Sequence, residues 1–185
     1  MRFVPLELDG AFLVELECHE DERGFFARTW DGDEFAAHGL AAGVVQSSIS
    51  RNTSAGTLRG LHFQSAPHEE TKLVRCTRGT VYDVIVDLRP ESATHAGWVG
   101  VELDADRATA LYVPKGFAHG FQTLVDDTEV LYMMSTPYVA EASTGVRWDD
   151  PAFGIVWPEA GSRTMSDRDR SWADYDPGNL RTRAT

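Results

Sequence analysis

Short apolar runs, rich in β-branched and aromatic residues and separated by turn residues, recur along most of this chain, at residues 12–17, 26–30, 44–49, 58–63, 72–76, 81–88, 98–103, 110–113, 121–125 and 130–134. Runs of this length and composition predict strands. Asp9-Gly10, Arg78-Gly79, Arg89-Pro90 and Lys115-Gly116 punctuate them with residues that tolerate tight or left-handed backbone. One short helix is predicted at about 33–38, with Asp31 or Asp33 as its N-cap and Gly39 just past its end. Many strands without βαβ alternation predict an all-β fold, an antiparallel sandwich or barrel with little helix. No internal repeat is visible. The tail after Trp157 is polar and punctuated by Pro and Gly, and from about 178 onward it is expected to fray.

Composition sets the scale. With 185 residues, 42% of them hydrophobic and 10% aromatic, the chain suits one domain, spanning 1–185, with a sizeable core. The opening MRFVPLELDG has neither a basic leader nor an apolar segment, and no apolar run approaches the roughly 18 residues of a membrane span. A soluble, cytoplasmic protein without a membrane partner is expected. Cys18 and Cys76 are far apart and lack the spacing of a metal or redox pair, so both are expected to be reduced. A formal net charge of −12 argues against nucleic acid as a partner, since the phosphate backbone demands a basic face. A nucleotide diphosphate needs only a local cluster of cations, and Arg23, Arg59, Lys72 and Arg168 are available for one.

The pattern breaks in an informative way at LRGLHFQ, residues 58–64. An apolar strand gains nothing from Arg59, His62 and Gln64 unless they face a shared cavity, because burying an unpaired polar or charged group costs several kcal/mol, roughly 2–7 for a neutral one. Lys72 in KLVRC and His119 in VPKGFAHGF extend the same anomaly to two more strand-like segments. These segments read as the wall of a site. Taken alone, His62 could be a core histidine with both nitrogens satisfied, Lys72 a solvated strand lysine, and Tyr132 an amphipathic core tyrosine.

DERGFF from Asp21, then QSSIS, LRGLHFQ, KLVRC, GTVYDVIVDLR, VPKGFAHGF, WDDP from Trp148 and SDRD at 166–169 carry a further signal. In this order they resemble the nucleotide-sugar epimerases of the dTDP-4-dehydrorhamnose 3,5-epimerase family, enzymes of deoxysugar pathways built as cupin-type jelly rolls. The resemblance covers most of the chain and implies an isomerase acting on a dTDP-4-keto-6-deoxy sugar at C3, C5 or both. By its motifs, His62 is the general base and Asp169 orients it. Lys72 stabilises the enolate on O4, and Tyr132 returns a proton from the opposite face. Arg23 and Arg59 match diphosphate ligands, with Arg168 a further cation nearby. Phe26 and Tyr138 match positions at the thymine base, and Gln46 and His119 match substrate contacts. The resemblance also implies a homodimer, because residues of a neighbouring subunit reach part of the site; no metal and no cofactor are expected, since Gln64 breaks the metal-ligand set and Lys72 already supplies the charge a metal would provide.

The chemistry is self-consistent. A 4-keto group makes the protons at C3 and C5 acidic, a carboxylate behind a histidine fixes its tautomer, and a cation at O4 stabilises the charge that develops. The chain departs from the family pattern at Arg28, Ser47, Ser48, Met133 and Ser143, two of them usual glutamates, which leaves the sugar and the number of inverted carbons open. Three other readings are a metal-dependent cupin, a 3,4-ketoisomerase on the same scaffold and a non-catalytic binding protein. Gln64 where metal cupins carry histidine, and Lys72 beside the would-be metal, oppose the first. Survival of His62, Lys72, Tyr132 and Asp169 together opposes the last. Only product analysis separates the ketoisomerase.

Overall fold

A computed structural model of the chain describes residues 1–178. Its strands are β1 (Arg2–Pro5), β2 (Phe12–Glu15), β3 (Cys18–Asp21), β4 (Gly24–Ala27), β5 (Gln46–Asn52), β6 (Leu58–Gln64), β7 (Lys72–Arg78), β8 (Thr80–Asp87), β9 (Trp98–Asp104), β10 (Thr109–Val113), β11 (Phe117–Thr123), β12 (Thr128–Met134) and β13 (Ser143–Gly145), with two short helices, α1 (Gly32–Ala37) and α2 (Asp167–Arg170). They form a six-stranded sheet, β1-β2-β10-β7-β12-β5, and a five-stranded sheet, β13-β6-β11-β8-β9. Their strand pairs are antiparallel, as the strand-and-turn pattern predicts. β3 and β4 stand apart as a two-stranded hairpin.

The β8 sequence TVYDVIVD shows why the sheets pack as they do. Val81 and Ile85 point inward and meet Val74, Leu111 and Phe121 in the core between the sheets. Val84 and Val86 point outward and are covered by Val146, Phe153 and Trp157 of the later chain. A strand covered on both faces needs a nearly continuous apolar run, and each fully buried side chain of this kind contributes about 1.5–3 kcal/mol. The outer face of the six-stranded sheet is sealed differently. Phe35 of α1 packs there with Val14, Leu73, Ala110 and Tyr112.

Of the two caps expected for α1, Asp31 takes the role, its side chain accepting from the backbone N–H groups of Asp33 and Glu34. The strand expected at 26–30 instead ends at Ala27, because Arg28 pairs with Asp31 and the helix entry begins there. β1, β3, β13 and α2 were not expected. Each is three or four residues long, too short to show periodicity, and α2 is closed by the Ser166 hydroxyl. The fraying expected from 178 onward falls, past Gly178, outside the described residues. No helix among the described residues is long and apolar enough to cross a membrane.

Candidate active site

The site lies between the two sheets, on side chains that turn inward. On the six-stranded sheet the register aligns Gln46, Met134 and Lys72 in one cross-strand row and Ser48, Tyr132 and Val74 in the next but one. Partners in register share a face, so Gln46, Lys72 and Tyr132 all turn to the interior. On the five-stranded sheet His62 pairs directly with His119. Residues three apart on a regular strand face opposite ways, yet Arg59 and His62 line one cavity. A register shift makes this possible by setting β6 residues 59–62 against only three β11 residues, 119–121. Two glycines permit it: a Cβ on Gly60 would lie 2.5 Å from the Gly120 Cα, so neither strand could carry a side chain there.

Asp169 arrives from far along the chain, on α2. The Ser166 hydroxyl accepts from the Asp169 backbone N–H at 3.1 Å and sets its carboxylate beneath His62. Nε2 of His62 lies 2.6 Å from Oδ1 of Asp169. Burial alone would raise the Asp169 carboxyl, but its hydrogen bond to His62 and the imidazole charge, with smaller help from Gly60 and Ser166, hold it below the usual value. An ionised carboxylate can only accept, so Nε2 carries a proton, and in the neutral ring Nδ1 is left as the acceptor. The Asp169 residue is 4% exposed, whereas the His62 side chain is 42% exposed. The imidazole is therefore anchored on one edge and open on the other.

Lys72 is held as firmly. Its ammonium donates to the His62 carbonyl oxygen at 3.1 Å and pairs with Glu70 Oε1 at 3.2 Å. An ammonium has three N–H groups, so one remains for a ligand. Burial pushes the Tyr132 phenol well above its usual range, the nearby Asp83 charge adding to the push and the Arg59 charge opposing it. The phenol stays protonated throughout the working range. His119, edge-on to the Tyr132 ring at 5.9 Å, bonds through Nε2 to Oδ1 of Asp83 at 2.8 Å.

Two adjoining cavities meet at His62 and Arg168. One, of about 310 Å³, is walled by Gln46, Lys72, Glu70, Tyr138 and Ser143, and the other, of about 380 Å³, by Arg59, Ser166 and Asp169. A larger cavity, about 530 Å³, lies between Phe63, Leu88, Trp172 and Tyr175 and reaches neither histidine. The smaller pair, with their base, cations and carboxylates, is where proton chemistry can occur. Gln64, the residue that stands in a metal-ligand position, spends its amide on the carbonyls of His68 and Pro137 and accepts from the Val139 N–H. Among the described residues no three His, Cys, Asp or Glu side chains are grouped so as to hold a metal ion.

Of the residues singled out from the sequence, the structure gathers His62, Asp169, Lys72, Gln46, Arg59, Tyr138 and Arg168 around these cavities. The Gln46 amide oxygen accepts from the Tyr138 backbone N–H at 2.5 Å, and Arg168 donates to the Ser143 carbonyl at 2.9 Å. His119, at 4% exposed, stands behind the wall rather than on it. Arg23 and Phe26 lie on the β3–β4 hairpin and line neither cavity. Arg23 is paired with Asp21 there, and Phe26 is 71% exposed. Two buried acids of this region, Asp83 and Glu70, went unnoticed in the sequence. Asp83 carried a usable signal, an aspartate inside the apolar run VYDVIVD.

Comparison with known proteins shows the family. The family model described as dTDP-4-dehydrorhamnose 3,5-epimerase matches residues 5–176. A curated dTDP-4-dehydrorhamnose 3,5-epimerase of Sinorhizobium fredii is 42% identical over 171 residues, covering 92% of this chain and 88% of its own. The crystal structure of dTDP-4-dehydrorhamnose 3,5-epimerase from Bacillus anthracis, with TDP and PPi bound, superposes with a TM-score of 0.90 at 41% identity, covering 94% of this chain and 99% of that one. A 3'-monoepimerase from Streptomyces bikiniensis in complex with dTDP-quinovose superposes with a TM-score of 0.83 at 36% identity, over 89% of this chain and 83% of that one.

Proposed function

Since this chain belongs to the dTDP-4-dehydrorhamnose 3,5-epimerase family, a family of isomerases with the cupin-type jelly roll, we propose that it inverts a dTDP-4-keto-6-deoxy sugar at C3, C5 or both, with His62 as base, Lys72 at O4 and Tyr132 as acid. The observation that carries the residue roles is the His62–Asp169 pair at 2.6 Å, anchored on Nε2 and half-exposed at the rim of two cavities. Nδ1 takes a proton from the carbon α to the ketone. The electron pair moves onto O4 as the C–H bond breaks, and the free N–H of Lys72 stabilises the charge there. His62 and Tyr132 come from facing sheets, which supports a base and an acid on opposite faces of the ring, with Tyr132 lining neither of the two cavities itself. A phenol held above its usual range is a weak acid, but the enolate carbon is a strong base and takes the proton readily.

Arg59, Arg168, Gln46 and Tyr138 are assigned to the nucleotide and diphosphate, since all four border the cavities and the guanidinium groups suit phosphate oxygens. His119 is assigned a supporting role through the Tyr132 ring, because it is buried behind the wall. Arg23 and Phe26 serve a second copy of the chain in this reading. Their hairpin leaves both exposed, and β5, an edge strand, leaves Ile49 uncovered as well, which supports a homodimer. A monomeric mass in sedimentation would remove that part. Two free cysteines support a cytoplasmic setting, which cell fractionation tests.

The decisive experiment is incubation with dTDP-4-dehydro-6-deoxyglucose in heavy water, following deuterium at C3 and C5 by NMR. Wash-in at one or both carbons, together with inversion, is expected. Tyr132→Phe should keep wash-in yet slow inversion by about 10²-fold or more, as expected for loss of one general acid. Absence of exchange in the wild type would overturn the reading, and an unchanged ratio in Tyr132→Phe would withdraw Tyr132 as the acid.

A further inference from the structure

One carboxylate in the cavity has no part in the chemistry above. Glu70, two residues ahead of Lys72 on the approach to β7, has a side chain 7% exposed and lines the same cavity as His62. Its Oε1 holds the Lys72 ammonium, and its Oε2 is buried with no hydrogen-bond partner. A charged oxygen without a donor is costly to bury. The last torsion of a glutamate is broad, so a modest rotation turns Oε2 toward the cavity while Lys72 remains in reach.

We propose that Glu70 is a specificity-determining residue whose free oxygen accepts a hydrogen bond from the C3 hydroxyl of the sugar. The inference rests on the epimerase reading and extends it. Lys72 has two N–H groups committed, to His62 and to Glu70, and offers the third to O4. With O4 and the Glu70 carboxylate on one ammonium, the substituents nearest Oε2 are those on the carbons flanking C4. C5 of a 6-deoxy sugar bears a methyl group, which donates nothing, and C3 bears a hydroxyl. Only C3 can satisfy the free oxygen. The ring is then gripped at adjacent oxygens by opposite charges, O4 by the ammonium and O3 by the carboxylate. That grip sets which face of the ring His62 sees, and a 3-deoxy sugar leaves the carboxylate bare.

The test is kcat/KM for deuterium wash-in at C5, or at C3 where that is the carbon the wild type exchanges, measured on dTDP-4-dehydro-6-deoxyglucose and on its 3-deoxy analogue. It is run with wild type, Glu70→Gln and Glu70→Ala. Loss of the hydroxyl should cost the wild type about 10–100-fold, the worth of a hydrogen bond to a charged group. Either variant should lose less than about threefold, because the two changes touch one interaction and do not add. Each ratio is taken within one preparation, so incomplete folding cancels. The glutamine variant keeps the side-chain shape and an oxygen for Lys72. Equal penalties in wild type and variants would overturn the proposal and leave Glu70 as a partner of Lys72 alone. A wild type inert toward both sugars would overturn the epimerase reading and this role with it.

Discussion

His62–Asp169 and His119–Asp83 are the same chemical pair, an imidazole Nε2 against a carboxylate, and the two histidines face each other in the register of β6 and β11. What differs is the far side of each ring. His62 opens onto two cavities, while His119 is buried against the edge of Tyr132. The carboxylates differ as well. Asp83 sits on β8, hydrogen-bonded to β11 within the same sheet, whereas Asp169 is brought from 107 residues away on a four-residue helix. A histidine–aspartate pair serves as a base only when the free nitrogen can reach a substrate. Sealed in a core, the same pair gives the imidazole Nε2 and one carboxylate oxygen a partner each, while the second oxygen of Asp83 is buried without one.

The strongest way to break this distinction is to delete each pair in turn. His62→Ala should lower wash-in at every carbon by about 10³-fold or more, the upper part of the range for a general base. Stability should fall by about 1–3 kcal/mol, because the buried Asp169 carboxylate loses its hydrogen-bond partner. Exchange assays and denaturant melts on one sample check both halves. Near-normal exchange would end the claim that the open dyad is the base.

Asp83→Ala should act on the fold and spare exchange. It leaves the His119 Nε2 buried without its partner, an unsatisfied polar group in the core, and should cost roughly 3 kcal/mol of stability. For a chain of this size that lowers Tm by roughly 6–12 °C. Exchange per folded molecule should persist, since His62, Asp169 and Lys72 are untouched. A loss of exchange with no change in Tm would mean that the closed dyad takes part in the chemistry and that the division drawn here is wrong.

The two dyads also differ in how visible they were in the sequence. Arg59, His62 and Gln64 stood out because charged and amide groups interrupt an apolar run, and the folded chain turns all three toward the site. Asp83 gave the same signal in VYDVIVD and was passed over, since the run was read only as a strand. Asp169 could not be paired with His62 by any local pattern, and only the family resemblance connected them. Glu70 lies in the polar stretch HEETK, where an acid is unremarkable, and its burial exists only in the fold. Arg23 and Phe26 were legible as chemistry but not as location, because neither sheet positions their hairpin against the cavity of the same chain. The sheets followed from the apolar runs because burial on two faces leaves few alternatives, whereas β1, β3, β13 and α2 depend on contacts made elsewhere in the molecule.

The smallest expected effect sharpens the comparison through pH. The folded-state pKa of Asp169 is depressed, chiefly because the His62 hydrogen bond and charge outweigh the penalty of burial. A depressed carboxyl stabilises the fold at pH above its unfolded value, about 3.9, and that contribution is lost as pH falls through the folded value. The stability gap between wild type and Asp169→Asn should therefore be steady from about pH 5 upward and should narrow below about pH 4. Across the same upper range the variant should keep a reduced exchange rate, because asparagine still fills the site but presents the wrong group to Nε2 and disturbs the tautomer without removing the base. Denaturant midpoints at several pH values, with wash-in rates at pH 7, measure both. A gap that stays constant into acid would mean that the Asp169 carboxylate is not held by His62 in the folded protein. The open dyad would then lose the anchor that separates it from an ordinary half-exposed histidine.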